Sequence, residues 1–179
     1  MTQISQDLRR KLKFNTGDTI LTLLFFASIG LTIWAIGIYR LTVIDIKYLY
    51  AAAAFGTLIA FAIILFRLKS TYSMFWTFII SIAIGSGFFY FGLLYLNQVF
   101  ADKETLTDDF QIVETGNLGR GRKSSCFQPY AIIDFNGTQK QLVFYCEYEK
   151  TIKNYSKVTV TFSKGLFGFD VVKSKKLTQ

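Results

Sequence analysis

The segment MFWTFIISIAIGSGFFYFGLLYL, residues 74–96, contains 23 residues and no charged side chain. Because a helix of about 20 apolar residues crosses the hydrocarbon core of a bilayer, this segment predicts a membrane-spanning helix. Two similar segments precede it, at residues 19–39 and 48–66. In lipid every backbone polar group needs a partner inside the protein, and a helix supplies one. The sequence therefore predicts three transmembrane helices.

The charged residues divide the chain into an apolar region and a polar region. Charged side chains make up 18% of the 179 residues, against about 25% in an ordinary soluble domain, and few of them lie between residues 19 and 100. This distribution predicts a basic tail at residues 1–18, a transmembrane region at 19–96, a linker at 97–109 and a β-domain at 110–179.

Basic residues near the predicted spans indicate the orientation in the membrane. Six of them belong to the N-terminal tail and the second connection: Arg9, Arg10, Lys11, Lys13, Arg67 and Lys69. The first connection carries only Arg40 and Lys47, partly countered by Asp45. The positive-inside rule therefore predicts a cytoplasmic N-terminus and an extracytoplasmic β-domain. The tail is either an interfacial helix on the lipid surface or a basic, partly disordered segment that only sets the topology.

The net charge of +8 is not concentrated in one place. Residues 1–96 hold eight Lys and Arg against three Asp, and residues 97–179 hold twelve against nine Asp and Glu. Because no dense basic stripe is present, nucleic acid is not an expected partner.

Small residues recur at four-residue spacing in the second and third spans. They are Ala52, Gly56 and Ala60 in the second span, and Ser81, Gly85, Ala83 and Gly87 in the third. Such ridges let helix backbones approach closely. The alternatives are packing among the three helices of one chain and contact with a partner or another copy.

After the linker the hydrophobic pattern changes to that of short strands. Five strands are predicted, at residues 110–115, 127–135, 138–145, 157–163 and 166–173, forming a small antiparallel barrel or sandwich-like sheet. Asn136-Gly137 predicts a hairpin, with a turn of two or three residues. Lys164-Gly165 predicts a second two-residue turn that pairs Phe162 with Phe167, Val160 with Phe169 and Val158 with Val171. The segment 147–156 is expected to hold a helical turn.

Cys126 and Cys146 are the only cysteines, and both lie in the β-domain. An extracytoplasmic location predicts a disulfide between them, whereas a cytosolic location would leave two buried thiols. A two-residue turn at Asn136-Gly137 places the apolar residues of both strands on one face, Phe127 included, but puts the cysteines on opposite faces. A bulge near Pro129 would reconcile the two expectations.

Motifs for catalysis are absent from the sequence. The chain has no histidine, which excludes His-based catalysis and most zinc sites, so we expect no enzyme activity, metal or cofactor. The loop at residues 116–123 contains Arg120, Arg122 and Lys123 and is a candidate for contact with an anion or a partner. A solvated connection between strands explains it equally well.

The segments YAIIDFNG, residues 130–137, and VTVTFSKGLFGFDV, residues 158–171, resemble the β-domains of small bacterial membrane proteins of the Bacteroidota sort. The chain is also similar to proteins that end in an oligonucleotide-binding-type barrel beside membrane helices. The resemblance implies membrane helices with a short β-module, and it implies no activity.

These features together predict a non-enzymatic protein of the bacterial inner membrane, in contact with lipid. Its β-domain would contact a protein partner, as an accessory subunit of an envelope complex or as a toxin-immunity protein. The alternative is a homo-oligomeric channel or a transporter subunit. The spans carry no ionisable residue, which counts against a carrier built from one copy.

Overall fold

Three long helices open the computed structural model, which describes residues 16–68, 73–119 and 126–179. They are α1 (Thr16–Leu41), α2 (Ile46–Ile63, followed by a π-helical turn at Ile64–Leu68) and α3 (Met74–Val99). All three are long and apolar enough to cross a membrane. The predicted helices are confirmed, and their length and composition indicate a membrane protein.

The helices pack at glycines. The chain divides into two compact units, and the first contains most of each helix. In this unit α2 and α3 approach each other so closely that a Cβ atom on Gly56 would lie 2.5 Å from the carbonyl oxygen of Gly85. Gly87 lies equally close to α1, because a Cβ there would be 2.7 Å from the Ser28 carbonyl oxygen. The hydroxyl of Ser28 itself donates to the carbonyl of Phe25 in its own helix, at 2.7 Å, so this polar side chain needs no partner in lipid.

The second unit, Ile36–Asp45 with Leu94–Gln179, contains an antiparallel sheet of six strands. They are β1 (Thr42–Val43), β2 (Leu106–Asn117), β3 (Pro129–Phe135), β4 (Thr138–Val143), β5 (Lys157–Lys164) and β6 (Asp170–Thr178). Their order is β1-β6-β5-β2-β3-β4, and the sheet forms a nearly closed barrel. Two short 3-10 turns, Cys146–Tyr148 and Ile152–Asn154, connect β4 to β5, where a helical turn was predicted.

The predicted count of five strands is wrong because β1 comes from the connection between α1 and α2. Thr42 and Val43 pair with Val171 and Asp170 of β6. Val43 also joins the apolar core of the barrel. A strand of two residues has no periodicity, so the sequence pattern does not reveal it. The pairing places the first connection on the same side of a membrane as the β-domain, as three crossings require.

The hairpin at Asn136-Gly137 has the two-residue turn. Phe135 pairs with Thr138, and both turn residues have positive φ, 52° at Asn136 and 85° at Gly137. These values are those of the type I′ turn that suits twisted strands. The predicted apolar face is buried for five of its members: Ala131, Ile133, Phe135, Leu142 and Phe144. Phe127 and Cys146, also predicted on this face, are the exceptions: Phe127 precedes β3 and is 42% exposed, and Cys146 follows β4 and is exposed.

The register predicted for the second hairpin is wrong. Phe162 pairs with Val172, and Val158 pairs with Leu177, because the turn runs from residue 165 to 169 instead of taking two residues. The cause is Asn97 of α3, which is fully buried. Its side chain accepts from the Phe167 N–H and donates to the Phe169 carbonyl, both at 3.0 Å.

Gly165 completes this turn, because a Cβ there would overlap the Asn97 amide. Asn97 therefore fixes a wide turn that local sequence rules do not anticipate. It also lies in the segment 97–109 that was predicted as a linker. In the structure α3 continues to Val99 and β2 already begins at Leu106.

We expect Gly85→Ala to lower the free energy of unfolding by about 1–3 kcal/mol, because the added methyl group overlaps the backbone of α2. Gly92→Ala on the same helix is the matched control, since a Cβ there meets nothing within 4 Å. Thermal unfolding of the full chain in detergent, followed by circular dichroism, measures both variants. Equal stability of the two variants would contradict the packing described for α2 and α3.

Candidate functional site on the β-domain

Lys140 of the edge strand β4 bridges the two edges of the sheet. Its side chain is only 6% exposed. The ammonium donates to the carbonyl of Thr42 in β1 at 2.6 Å and to the carbonyl of Tyr39 at 2.7 Å. It also lies 4.6 Å from the centre of the Tyr39 ring. One side chain thus joins β4 to β1 and satisfies backbone carbonyls at the C-terminal end of α1.

Burial of Lys140 raises the free energy of its charged form. Burial, with a further contribution from the charge of Lys175, lowers the pKa of Lys140 from 10.5 to about 8. Burial also lowers the pKa of Lys175. A group whose folded-state pKa is depressed in this way releases its proton more readily in the folded protein than in the unfolded chain.

Cys126 and Cys146 lie at disulfide distance, with their Cα atoms 5.9 Å apart. The two-residue hairpin turn and the pairing are compatible because both cysteines lie outside the strands. Cys126 precedes β3 and Cys146 follows β4, so the alternation of strand faces does not constrain them. The bulge suggested near Pro129 is therefore unnecessary.

Two exposed aromatic residues adjoin the cysteines. Phe127 follows Cys126 and is 42% exposed, while Tyr145 precedes Cys146 and is 81% exposed. We call these two residues the aromatic patch. Cross-linking of the neighbouring cysteines limits the motion of the backbone that carries both rings. Exposed aromatic side chains on a rigid backbone are typical of protein contact sites.

The small residues predicted for helix packing lie partly in contacts within the chain. Gly56 faces Gly85, Gly87 faces α1, and Ala60 and Ser81 are buried. Ala52 and Ala83 are half-buried.

The remaining predicted residues lie largely outside the described part of the chain. They are Arg9, Arg10, Lys11 and Lys13 of the tail, Lys69 of the second connection, and Arg120, Arg122 and Lys123 of the candidate loop. Arg67 belongs to the π-helical turn, and its side chain is not described.

Sequence reasoning missed Lys140 and Asn97. Lys140 stands between Gln139 and Gln141, and three successive polar residues are typical of a solvated strand. Its position in the alternation is the signal that could have found it, since it shares a face with Leu142, which is fully buried. A lysine on the core face of a strand requires a polar partner.

Among residues 16–68, 73–119 and 126–179, no group of three or more His, Cys, Asp or Glu side chains could hold a metal ion. Comparison with family models, curated proteins and solved structures finds no match for this chain. The fold defines a class: three candidate membrane spans and an antiparallel, nearly closed barrel that takes one strand from the first interhelical connection.

The shifted pKa of Lys140 makes the stability depend on pH. Between pH 8 and the ordinary value of 10.5 the unfolded chain binds more protons than the folded protein, so the free energy of unfolding rises with pH across this interval. We expect a rise on the order of 2 kcal/mol from Lys140. Chemical unfolding at pH 8 and pH 10.5 measures it.

The variant Lys140→Met should show a much smaller rise and, because two carbonyls lose their donor, a lower stability at pH 10.5 by about 1–3 kcal/mol. The exposed Lys150→Met is the control and should keep the rise. An unchanged pH dependence in Lys140→Met would show that Lys140 does not cause the rise in the free energy of unfolding.

Because Cys126 and Cys146 are paired, we expect the oxidised chain to resist thiol reagents. A maleimide-polymer reagent should shift the chain on a gel only after reduction and unfolding, and a shift without reductant would show that the thiols are free. Replacing both Cys126 and Cys146 by Ala should lower the free energy of unfolding by about 3 kcal/mol, since the bridge closes a loop with a sequence separation of 20.

Proposed function

We propose that this chain is a non-enzymatic interaction protein of the bacterial inner membrane. Its helices anchor it in lipid, and its β-domain contacts a protein partner outside the cytoplasm. The observation that carries the proposal is the aromatic patch, Phe127 and Tyr145, beside the paired cysteines.

The extracytoplasmic location rests on two independent features of the chain. The basic residues of the tail and of the second connection favour a cytoplasmic N-terminus. The cysteine pair at disulfide distance favours an oxidising compartment for the β-domain. Both features support our proposal that the barrel lies on the outer side of the inner membrane.

The patch has the properties of an anchoring site for a partner. Tyr145 exposes 81% of its surface, although burial of a large aromatic ring is energetically favourable. Its hydroxyl supplies a donor and an acceptor for a polar rim. Among the described strands, Lys140 bridges the edges β1 and β4, and the unpaired part of the β6 edge carries Lys173, Lys175 and Lys176, whose charges disfavour strand addition. Contact through side chains is therefore favoured over strand pairing.

Two versions of this function differ in the partner. As an accessory subunit, the chain would bind a resident protein of the envelope complex permanently. As an immunity protein, it would bind an incoming toxin at the membrane surface. Both versions use the same patch, and the identity of the co-purified partner distinguishes them.

Co-purification tests the proposal. The tagged chain is expressed at native level in its host, solubilised gently, and the associated proteins are identified. We expect a stoichiometric partner whose recovery falls at least about tenfold in Tyr145→Ala, as for an interface residue worth about 2 kcal/mol. Phe167→Ala is the matched control, because this ring is 47% exposed on the same domain and lies away from the cysteines.

Two results would contradict the proposal. Recovery of the partner by Tyr145→Ala at the level of the control would remove the patch from the interface. Recovery of further copies of the chain alone, after cross-linking as well, would favour an oligomeric channel over a partner contact. In that case ion flux through vesicles containing the purified chain is the next measurement.

A further inference from the structure

The barrel has an open seam between β6 and the end of β4. In the described part of the chain, β1 covers β6 only at Asp170 and Val171, so the outer edge of β6 has no strand partner beyond them. Lys140 bridges the sheet edges at one end of this gap. At the other end the gap opens into a cavity of about 560 Å³, which we call the seam pocket.

Basic side chains line the seam pocket. Four come from two elements: Arg40 from α1, and Lys173, Lys175 and Lys176 from β6. Glu147 is the single acidic residue in the lining. A bulge in β6 contributes to this density, because Thr161 pairs with Ser174 and Phe162 with Val172, which leaves Lys173 as the extra residue. The pocket thus carries a clear excess of positive charge.

Lys175 is the most constrained of these cations. Its ammonium lies 5.3 Å from the centre of the Phe144 ring, and its side chain is half-buried. Burial lowers the pKa of Lys175, and its charge in turn contributes to the lowered pKa of Lys140. Like charges held together in a concave, partly desolvated site raise the free energy of the empty protein. An anion in the pocket would relieve this repulsion.

The position of Arg40 indicates where the anion comes from. Arg40 is the penultimate residue of α1, whose apolar span ends at Leu41. The end of a membrane span lies at the level of the lipid headgroups, where the phosphate groups are found. Tyr148, which also lines the pocket, offers a hydroxyl donor to the same ligand.

We propose that the seam pocket binds the phosphate group of an anionic phospholipid from the adjacent leaflet. Arg40 contacts the phosphate from the membrane side, and Lys173, Lys175 and Lys176 contact it from β6. Arg and Lys bind phosphate through charge-assisted hydrogen bonds, which are stronger than hydrogen bonds between neutral groups. The acyl chains remain in the bilayer beside α1.

Native mass spectrometry of the full chain tests this binding. The protein, in a neutral detergent, is titrated with dihexanoyl phosphatidylglycerol and, separately, with dihexanoyl phosphatidylcholine, which carries a phosphate but no net charge. Glycerol phosphate and inorganic phosphate are the soluble probes. The test variant is Lys173→Gln with Lys176→Gln, and the charge-matched control is Lys150→Gln with Lys153→Gln, two exposed lysines outside the pocket.

We expect saturable binding of phosphatidylglycerol at one site, with an affinity at least about tenfold above that for phosphatidylcholine. The pocket variant should lose about tenfold or more in affinity for phosphatidylglycerol, whereas the control variant keeps it, because the pocket variant loses charge-assisted hydrogen bonds to the phosphate. Arg40→Gln, at the membrane side, should reduce the affinity in the same direction.

Three results would overturn the proposal. Equal affinity of the pocket variant and the control variant for phosphatidylglycerol would show that binding depends on the overall charge of the protein and not on the pocket. Equal affinity for both lipids would remove the selectivity for an anion. Stronger binding of glycerol phosphate or inorganic phosphate, with competition against the lipid, would make the ligand a soluble phosphate and overturn the lipid assignment.

Discussion

The ammonium of Lys140 lies against the carbonyls of Tyr39 and Thr42, and both the barrel and the end of the first span depend on this contact. The last carbonyls of a helix have no partner in their own helix, and here a lysine from a distant strand supplies it. The same group joins the edge strands β4 and β1. The connection between α1 and α2 leaves room for only two residues of strand, because the chain enters α2 at Ile46. The Lys140 side chain therefore makes the connection between the sheet edges that a longer β1 would make through backbone hydrogen bonds. The rest of the gap between β6 and β4 stays open.

Asn97 has the corresponding function at the end of the third span. Its amide bonds to the backbone of the turn between β5 and β6, so a buried polar side chain again links a helix end to the sheet. Buried backbone groups require partners, and the end of a span is where the regular partners run out. Both Lys140 and Asn97 are buried because they meet this requirement. Their substitution by apolar residues would leave carbonyl or amide groups unpaired, which costs more than the burial of the side chain gains.

The elements predicted correctly from the sequence are those that hydrophobic periodicity and turn chemistry determine. The three spans follow from uncharged segments, and the hairpin at Asn136-Gly137 follows from residues that tolerate positive φ. The errors arise where contacts distant in sequence override local rules. The second turn lengthens because Asn97, about 70 residues away, binds its backbone. The strand β1 exists because β6 pairs with it, and Phe127 is exposed because the strand begins only at Pro129. The basic seam pocket was also beyond prediction, since Arg40 and the lysines of β6 meet only in the folded barrel.

Tyr145 connects the two proposals for the surface of this domain. It belongs to the aromatic patch, and it also lines the seam pocket. A lipid phosphate in the pocket would restrict this side chain, and a protein partner on the patch would bury it. If one ligand changes the affinity of the other, thermodynamic linkage requires that the change be reciprocal and equal in factor. A partner that prefers the lipid-bound form would therefore be retained at membranes rich in anionic lipid. If both proposals hold, the position of Tyr145 would make partner binding depend on the lipid composition of the membrane.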